Sequence, residues 1–147
     1  MGWEDNVRDV GAREIKAHDA KTEQERKLAN IVCEAGDFLN KCVTKIKDSG
    51  VYCNGGLSND GRRYAITFST HHSDSYISGF ILIRVKNATV EVIYSNHGKT
   101  PKQFKTESLI NTTTLEGILT YVTTPASRWD RFIERNNTGS SLSEWDD

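Results

Sequence analysis

Residues 22–48 read TEQERKLANIVCEAGDFLNKCVTKIKD, and this stretch sets the architecture. Leu28, Ile31, Val32, Ala35, Leu39, Cys42, Val43 and Ile46 recur at the three- and four-residue spacing of one helical face, with Phe38 at its edge. Glu23, Arg26, Asn30, Glu34, Asp37, Lys41, Lys45 and Asp48 fall on the opposite side. Thr22 and Glu25 have capping-box spacing, which predicts a helix start at Thr22. Ser49-Gly50 supplies the stop, because glycine tolerates the left-handed conformation common at helix ends. So long an apolar stripe needs a broad partner surface.

The following sequence offers one. Arg62 to Thr70 alternates, with Tyr64, Ile66 and Phe68 on one side. Tyr76 to Lys86 alternates over a longer run and is apolar on both faces, which predicts a central strand. Asn87-Ala88 turns the chain into a third strand, Thr89 to Ser95. Pro101 confines the next strand, Gln103 to Leu109, to an edge. Asn54-Gly55-Gly56 and Asn59-Asp60-Gly61 read as turns, with Val51-Tyr52-Cys53 a short edge strand before them. Thr113 and Glu116 repeat the capping-box spacing before Leu115, Ile118, Leu119 and Val122. Thr124-Pro125 is expected to restart a helix whose apolar face is Trp129, Phe132 and Ile133.

The expected fold is α+β. A long N-terminal amphipathic helix packs on an antiparallel meander of three to five strands, with one or two C-terminal helices on the same face. The other face then meets water or a partner. The expected organisation is a weakly ordered arm over 1–21, a single domain over 22–135 and a disordered acidic tail over 136–147.

The formal net charge is −1, but it is unevenly spread. Residues 38–105 carry ten Lys/Arg against four Asp/Glu, whereas 1–37 carry six against nine and 106–147 three against seven. A basic middle between acidic ends suggests an anion-binding or protein-facing surface. Three cysteines, Cys33, Cys42 and Cys53, match neither a disulfide framework nor a zinc site. No run is apolar enough to span a membrane, so a cytoplasmic or otherwise intracellular protein without membrane contact is expected.

Three groups of residues are functional candidates. The basic set Arg62, Arg63, Arg84, Lys86, Lys99, Lys102 and Lys105, interleaved with Tyr76 and Phe80, suits an open sheet that stacks bases and neutralises phosphates. Leu142 and Trp145 stand among Ser143, Glu144, Asp146 and Asp147, as in a short linear docking motif. His71-His72-Ser73-Asp74, with His97, offers imidazole and carboxylate groups for a metal or a general base, although adjacent histidines on an extended chain point apart. No acid, base and nucleophile converge in the sequence, and no cofactor or metal is expected. The expected function is therefore a small non-catalytic intracellular binding protein. It would work through protein contacts as a regulatory, accessory or inhibitor-type protein, viral ones included. The helix stripe also allows a homodimer. The alternatives are a nucleic-acid-binding domain using the basic sheet and a small histidine- or metal-dependent hydrolase.

Overall fold

The computed structural model describes residues 3–70, 75–96 and 99–127, of which 3–21, 75 and 126–127 are described as backbone only. A single helix, α1 (Trp3–Lys47), precedes the strands β1 (Tyr52–Leu57), β2 (Arg63–Ser69), β3 (Ser75–Tyr76), β4 (Ser78–Lys86), β5 (Thr89–Asn96) and β6 (Lys102–Thr106). Helix α2 (Thr112–Val122) and the two-residue strand β7 (Ala126–Ser127) follow. The main sheet is antiparallel, in the order β1-β2-β4-β5-β6, and β3 pairs with β7 in a separate ribbon. This is the expected α+β meander, with β4 at its centre.

Helix α1 runs straight through the expected start at Thr22. Ala12, Glu14, Lys16, Ala17, Ala20 and Lys21 are strong helix formers, and Gly11 alone costs only about 1 kcal/mol relative to alanine. Capping-box spacing therefore marks an interior position here. The 45 residues of α1 span about 68 Å. Its packed part is the predicted stripe: Leu28, Ile31, Val32, Ala35, Leu39 and Val43 are buried against Tyr64, Ile66, Phe68, Ile81, Ile83, Val90 and Val92 of the sheet. Leu115, Ile118 and Val122 of α2 complete the same cluster, so both helices cover one face.

Three boundaries differ from expectation for identifiable reasons. Helix α2 is capped by Asn111, whose side chain accepts the Thr114 N–H at 2.7 Å, not by Thr113. Asparagine is the stronger cap, and capping at Asn111 starts the helix two residues earlier, which makes Thr113 a helical residue. The helix expected from Thr124-Pro125 does not begin there, since Ala126 and Ser127 are extended and paired with Tyr76 and Ser75. Asn54-Gly55-Gly56 is strand, not turn. Gly55, at φ +130, pairs opposite Ile66 in a conformation that only glycine adopts readily.

The second face is apolar at its centre and is not open. Phe80, Leu82 and Ile93 are 5%, 0% and 0% exposed and form a smaller cluster with Ala65. Of the two expectations for this face, water or a partner, the burial excludes water at its centre.

Where α1 crosses the sheet, Gly36 meets the Tyr64 ring so closely that a Cβ would lie 2.8 Å from Cδ2. The Tyr64 hydroxyl donates to Asn40 Oδ1 at 2.9 Å. Burial, with smaller contributions from the Cys53 and Cys42 thiols as they ionise, pushes the Tyr64 phenol up to about 12. An unfolded tyrosine titrates near 10. The native state therefore holds this proton more tightly, and the associated stability is intact below pH 10 and is lost as pH rises towards 12. The loss is about 3 kcal/mol, from the spacing of the two values. About 2 kcal/mol of this falls between pH 9 and pH 11.5, and urea unfolding at the two values is expected to show it for the parent and not for Tyr64→Phe. Equal losses in the two proteins would refute this origin.

Asn87 and Ala88 form the β4–β5 turn with φ 51 and 62. Both positive values match the primed hairpin turns, which accept asparagine well and alanine poorly. Ala88→Gly is expected to raise stability by about 0.5–1 kcal/mol. An unchanged denaturation midpoint would show that Ala88 carries no strain.

Candidate functional site

The two edges of the main sheet differ in chemistry. Strand β6 begins after Pro101 and carries exposed Lys102 and Lys105. Proline and lysine on an edge are common devices against pairing with another chain. Strand β1, the other edge, reads YCNGGL and carries neither charge nor proline. Tyr52 is 61% exposed and Leu57 41%, and Asn54 and Gly55 are exposed between them. Beside Gly56 nothing lies within 4 Å of where a Cβ would stand. Such an edge can accept a further strand through main-chain hydrogen bonds, with alternate side chains reading its two sides.

Register determines which β1 residues share a face. Tyr52, Asn54 and Gly56 lie opposite Ser69, Thr67 and Ala65, on the side away from the helices. Cys53, Gly55 and Leu57 lie opposite Phe68, Ile66 and Tyr64, on the helix side. Burial pushes the Cys53 thiol up, and the positive charge of Lys47 at the end of α1 opposes this. One end of β1 is thus within the field of a cation.

The basic set is divided among several places. Arg63, Arg84, Glu91 and Lys105 form one row across four strands of the far face. Within it, Arg84 donates from Nε and Nη2 to Glu91 Oε1 at 3.1 and 2.9 Å, and both side chains are more than nine-tenths buried. Lys86 lies opposite Thr89 at the end of the same face and is half-buried. Arg62 is elsewhere, bonded to Glu25 of α1 at 2.7 Å. That pair bridges a cleft of about 270 Å³ between α1 and the β4–β5 turn, also lined by Gln24, Leu28 and Lys86. Lys102 lies on the helix side, 4.6 Å from the centre of the Tyr121 ring, which meets Tyr94 edge-on. Lys99 is exposed before β6.

Tyr76 and Phe80 are 4% and 5% exposed, so neither presents a ring for base stacking. The single platform of cations and aromatics expected from the sequence is therefore not assembled. Alternation placed Phe80, Arg84 and Lys86 on one side correctly, but the burial of that side is a tertiary property.

His71, His72 and His97 lie outside the described residues, as do Trp129, Leu142 and Trp145. Among the described residues no group of three or more His, Cys, Asp or Glu could hold a metal ion. Among them also, no helix is long and apolar enough to cross a membrane. One contact was missed in the sequence, and one edge strand was read too short. The Arg84–Glu91 pair is symmetric about the Asn87-Ala88 turn, so hairpin register alone could have found it. The β1 edge was expected only at Val51-Tyr52-Cys53, because the glycines that continue it have the composition of a turn. No family model, curated protein or solved structure matches the chain.

Proposed function

We propose that this protein is a non-catalytic binding protein that works through protein contacts, with β1 as its docking edge. The observation that carries the reading is the contrast between the two edges. Pro101, Lys102 and Lys105 guard one edge, while Tyr52 and Leu57 flank an uncharged, solvent-exposed strand at the other. A partner segment in extended form would gain backbone hydrogen bonds along β1 and apolar contact at both of its ends.

Asn54→Lys tests this, because Asn54 is exposed and a lysine there reproduces the protection of β6. Affinity capture from the native host with the full chain is expected to recover a partner that the variant retains about ten-fold less well, at an unchanged unfolding midpoint. Equal recovery by parent and variant would overturn the edge reading. Fluorescence anisotropy with a single-stranded oligonucleotide gives the second arm. Tight binding that falls steeply with salt would move the function to nucleic acid, through the exposed Lys99, Lys102 and Lys105.

A further inference from the structure

We propose that β1 pairs with β1 of a second copy of this chain, antiparallel, about a twofold axis that passes between the two Asn54 residues. The proposal rests on the reading of β1 as a docking edge and names its occupant.

The backbone sets which registers are open. The Ser58 N–H donates to the Arg63 carbonyl at 2.7 Å, and this pair continues the β1–β2 register. Bonded and non-bonded pairs alternate along an antiparallel ladder. The N–H and C=O groups of Tyr52, Asn54 and Gly56 therefore turn towards β2, and those of Cys53, Gly55 and Leu57 turn outward. A second antiparallel strand must bond to these outward groups, so under twofold symmetry outward residues meet outward residues.

One such register also matches the side chains. With Cys53 bonded to the second copy's Gly55, Tyr52 stands opposite the second copy's Gly56 on the side away from the helices. Tyr52 is 61% exposed, and nothing lies within 4 Å of where a Cβ on Gly56 would stand. A large ring over an edge glycine is a known way of stabilising a strand pair. The symmetry makes that contact twice. Asn54 then faces its own equivalent across the axis, where each amide offers a donor and an acceptor to the other. On the helix side the exposed Leu57 comes opposite the second copy's half-buried Val51, again twice. Both exposed apolar residues of β1 thus gain a partner in one register.

Charge points to the same occupant. A twofold axis sets like beside like, so a charge near it would meet itself, and YCNGGL carries none. Strand β6, with Lys102 and Lys105 after Pro101, cannot repeat the pairing cheaply. One open edge and one guarded edge give a closed dimer and not a growing sheet.

Sedimentation velocity of the full chain across a concentration series tests this. The parent is expected to assemble reversibly as far as a dimer and no further. Asn54→Lys and Asn54→Asp are each expected to raise the dissociation constant about ten-fold, because like charges then face each other across the axis. An equimolar mixture of the two variants is expected to recover the parent constant, since a lysine then faces an aspartate. Tyr52→Ser is expected to weaken the dimer about five-fold through loss of the ring over Gly56. A parent that stays monomeric at about 1 mM overturns the proposal. So does a dimer that Asn54→Lys leaves intact, and so does a mixture no tighter than its components. Affinity capture separates this from the docking reading. If the parent is monomeric but Asn54→Lys still loses a different protein, β1 docks another chain and only the self-pairing falls. If Asn54→Lys changes neither assembly nor capture, both readings fall.

Discussion

Glu91→Ala is expected to destabilise the fold by about 3–5 kcal/mol, the range seen when one partner of a buried ion pair is removed. Glu91 and Arg84 face each other on β5 and β4, with side chains only 8% and 7% exposed. Two N–H groups of the guanidinium converge on one carboxylate oxygen. The alanine removes, from a buried place, the carboxylate that accepts two of the guanidinium's N–H groups. The cost is then chiefly the desolvation of a charge, not the loss of an attraction. That distinction has a consequence. Arg84→Met combined with Glu91→Leu removes both charges and continues the apolar cluster of Leu82 and Ile93, so it is expected to stay within about 1 kcal/mol of the parent or exceed it. Urea unfolding with unchanged slopes measures all three proteins. A single variant costing less than 1 kcal/mol would refute the buried-charge account, and so would a double variant as damaged as the single one.

The Arg84–Glu91 pair also marks how far a sequence reading extends. Hairpin register follows from a two-residue turn, and strand alternation follows from the two-residue period. Both are local, which is why β4, β5 and their facing residues were legible. The stripe from Leu28 to Ile46 was legible for the same reason: helical period repeats over many turns and accumulates signal. Burial of Phe80 and Arg84 is not local. The alternation that assigns them to a face is the same whether that face is covered or wet. The β1 edge was legible only at Val51-Tyr52-Cys53, and a different ambiguity hid its continuation. Glycine suits a turn because it accepts positive φ, and Gly55 uses that freedom at φ +130 while still paired with Ile66. Composition could not separate these uses, and the pairing partner decided between them. The candidate site was therefore less legible than the fold, because an open edge depends on which strands lack a neighbour.

Glycine context also underlies the second large effect, expected for Gly79→Ala. Gly79 lies on β4 between Phe68 and Asn96, beneath the end of α2. A Cβ there would stand 2.4 Å from the Val122 carbonyl oxygen and 2.8 Å from that of Ser95. Both obstacles are backbone, so neither can rotate away, and α2 must lift. Lifting α2 strains a second contact. The Asn96 amide, on a residue only 3% exposed, donates to the carbonyls of Tyr121 and Thr124 at 2.8 and 2.9 Å and ties down the last turn of α2. Losing those bonds would leave the buried Asn96 amide without these acceptors. Overpacking and the loosened clamp together are expected to cost about 3 kcal/mol. Gly56→Ala is the matched control. It makes the same chemical change in a strand of the same sheet, but its Cβ meets nothing within 4 Å, so a change of about 0.5 kcal/mol or less is expected. Thermal and urea denaturation of the two variants decide the matter. If they are equally destabilised, the cost lies in strand glycine as such, and close approach of α2 to β4 is not what fixes the helix on the sheet. If only Gly79→Ala is damaged, that approach is the fixing contact, and Asn96→Ala should reproduce a large part of the loss without touching the glycine.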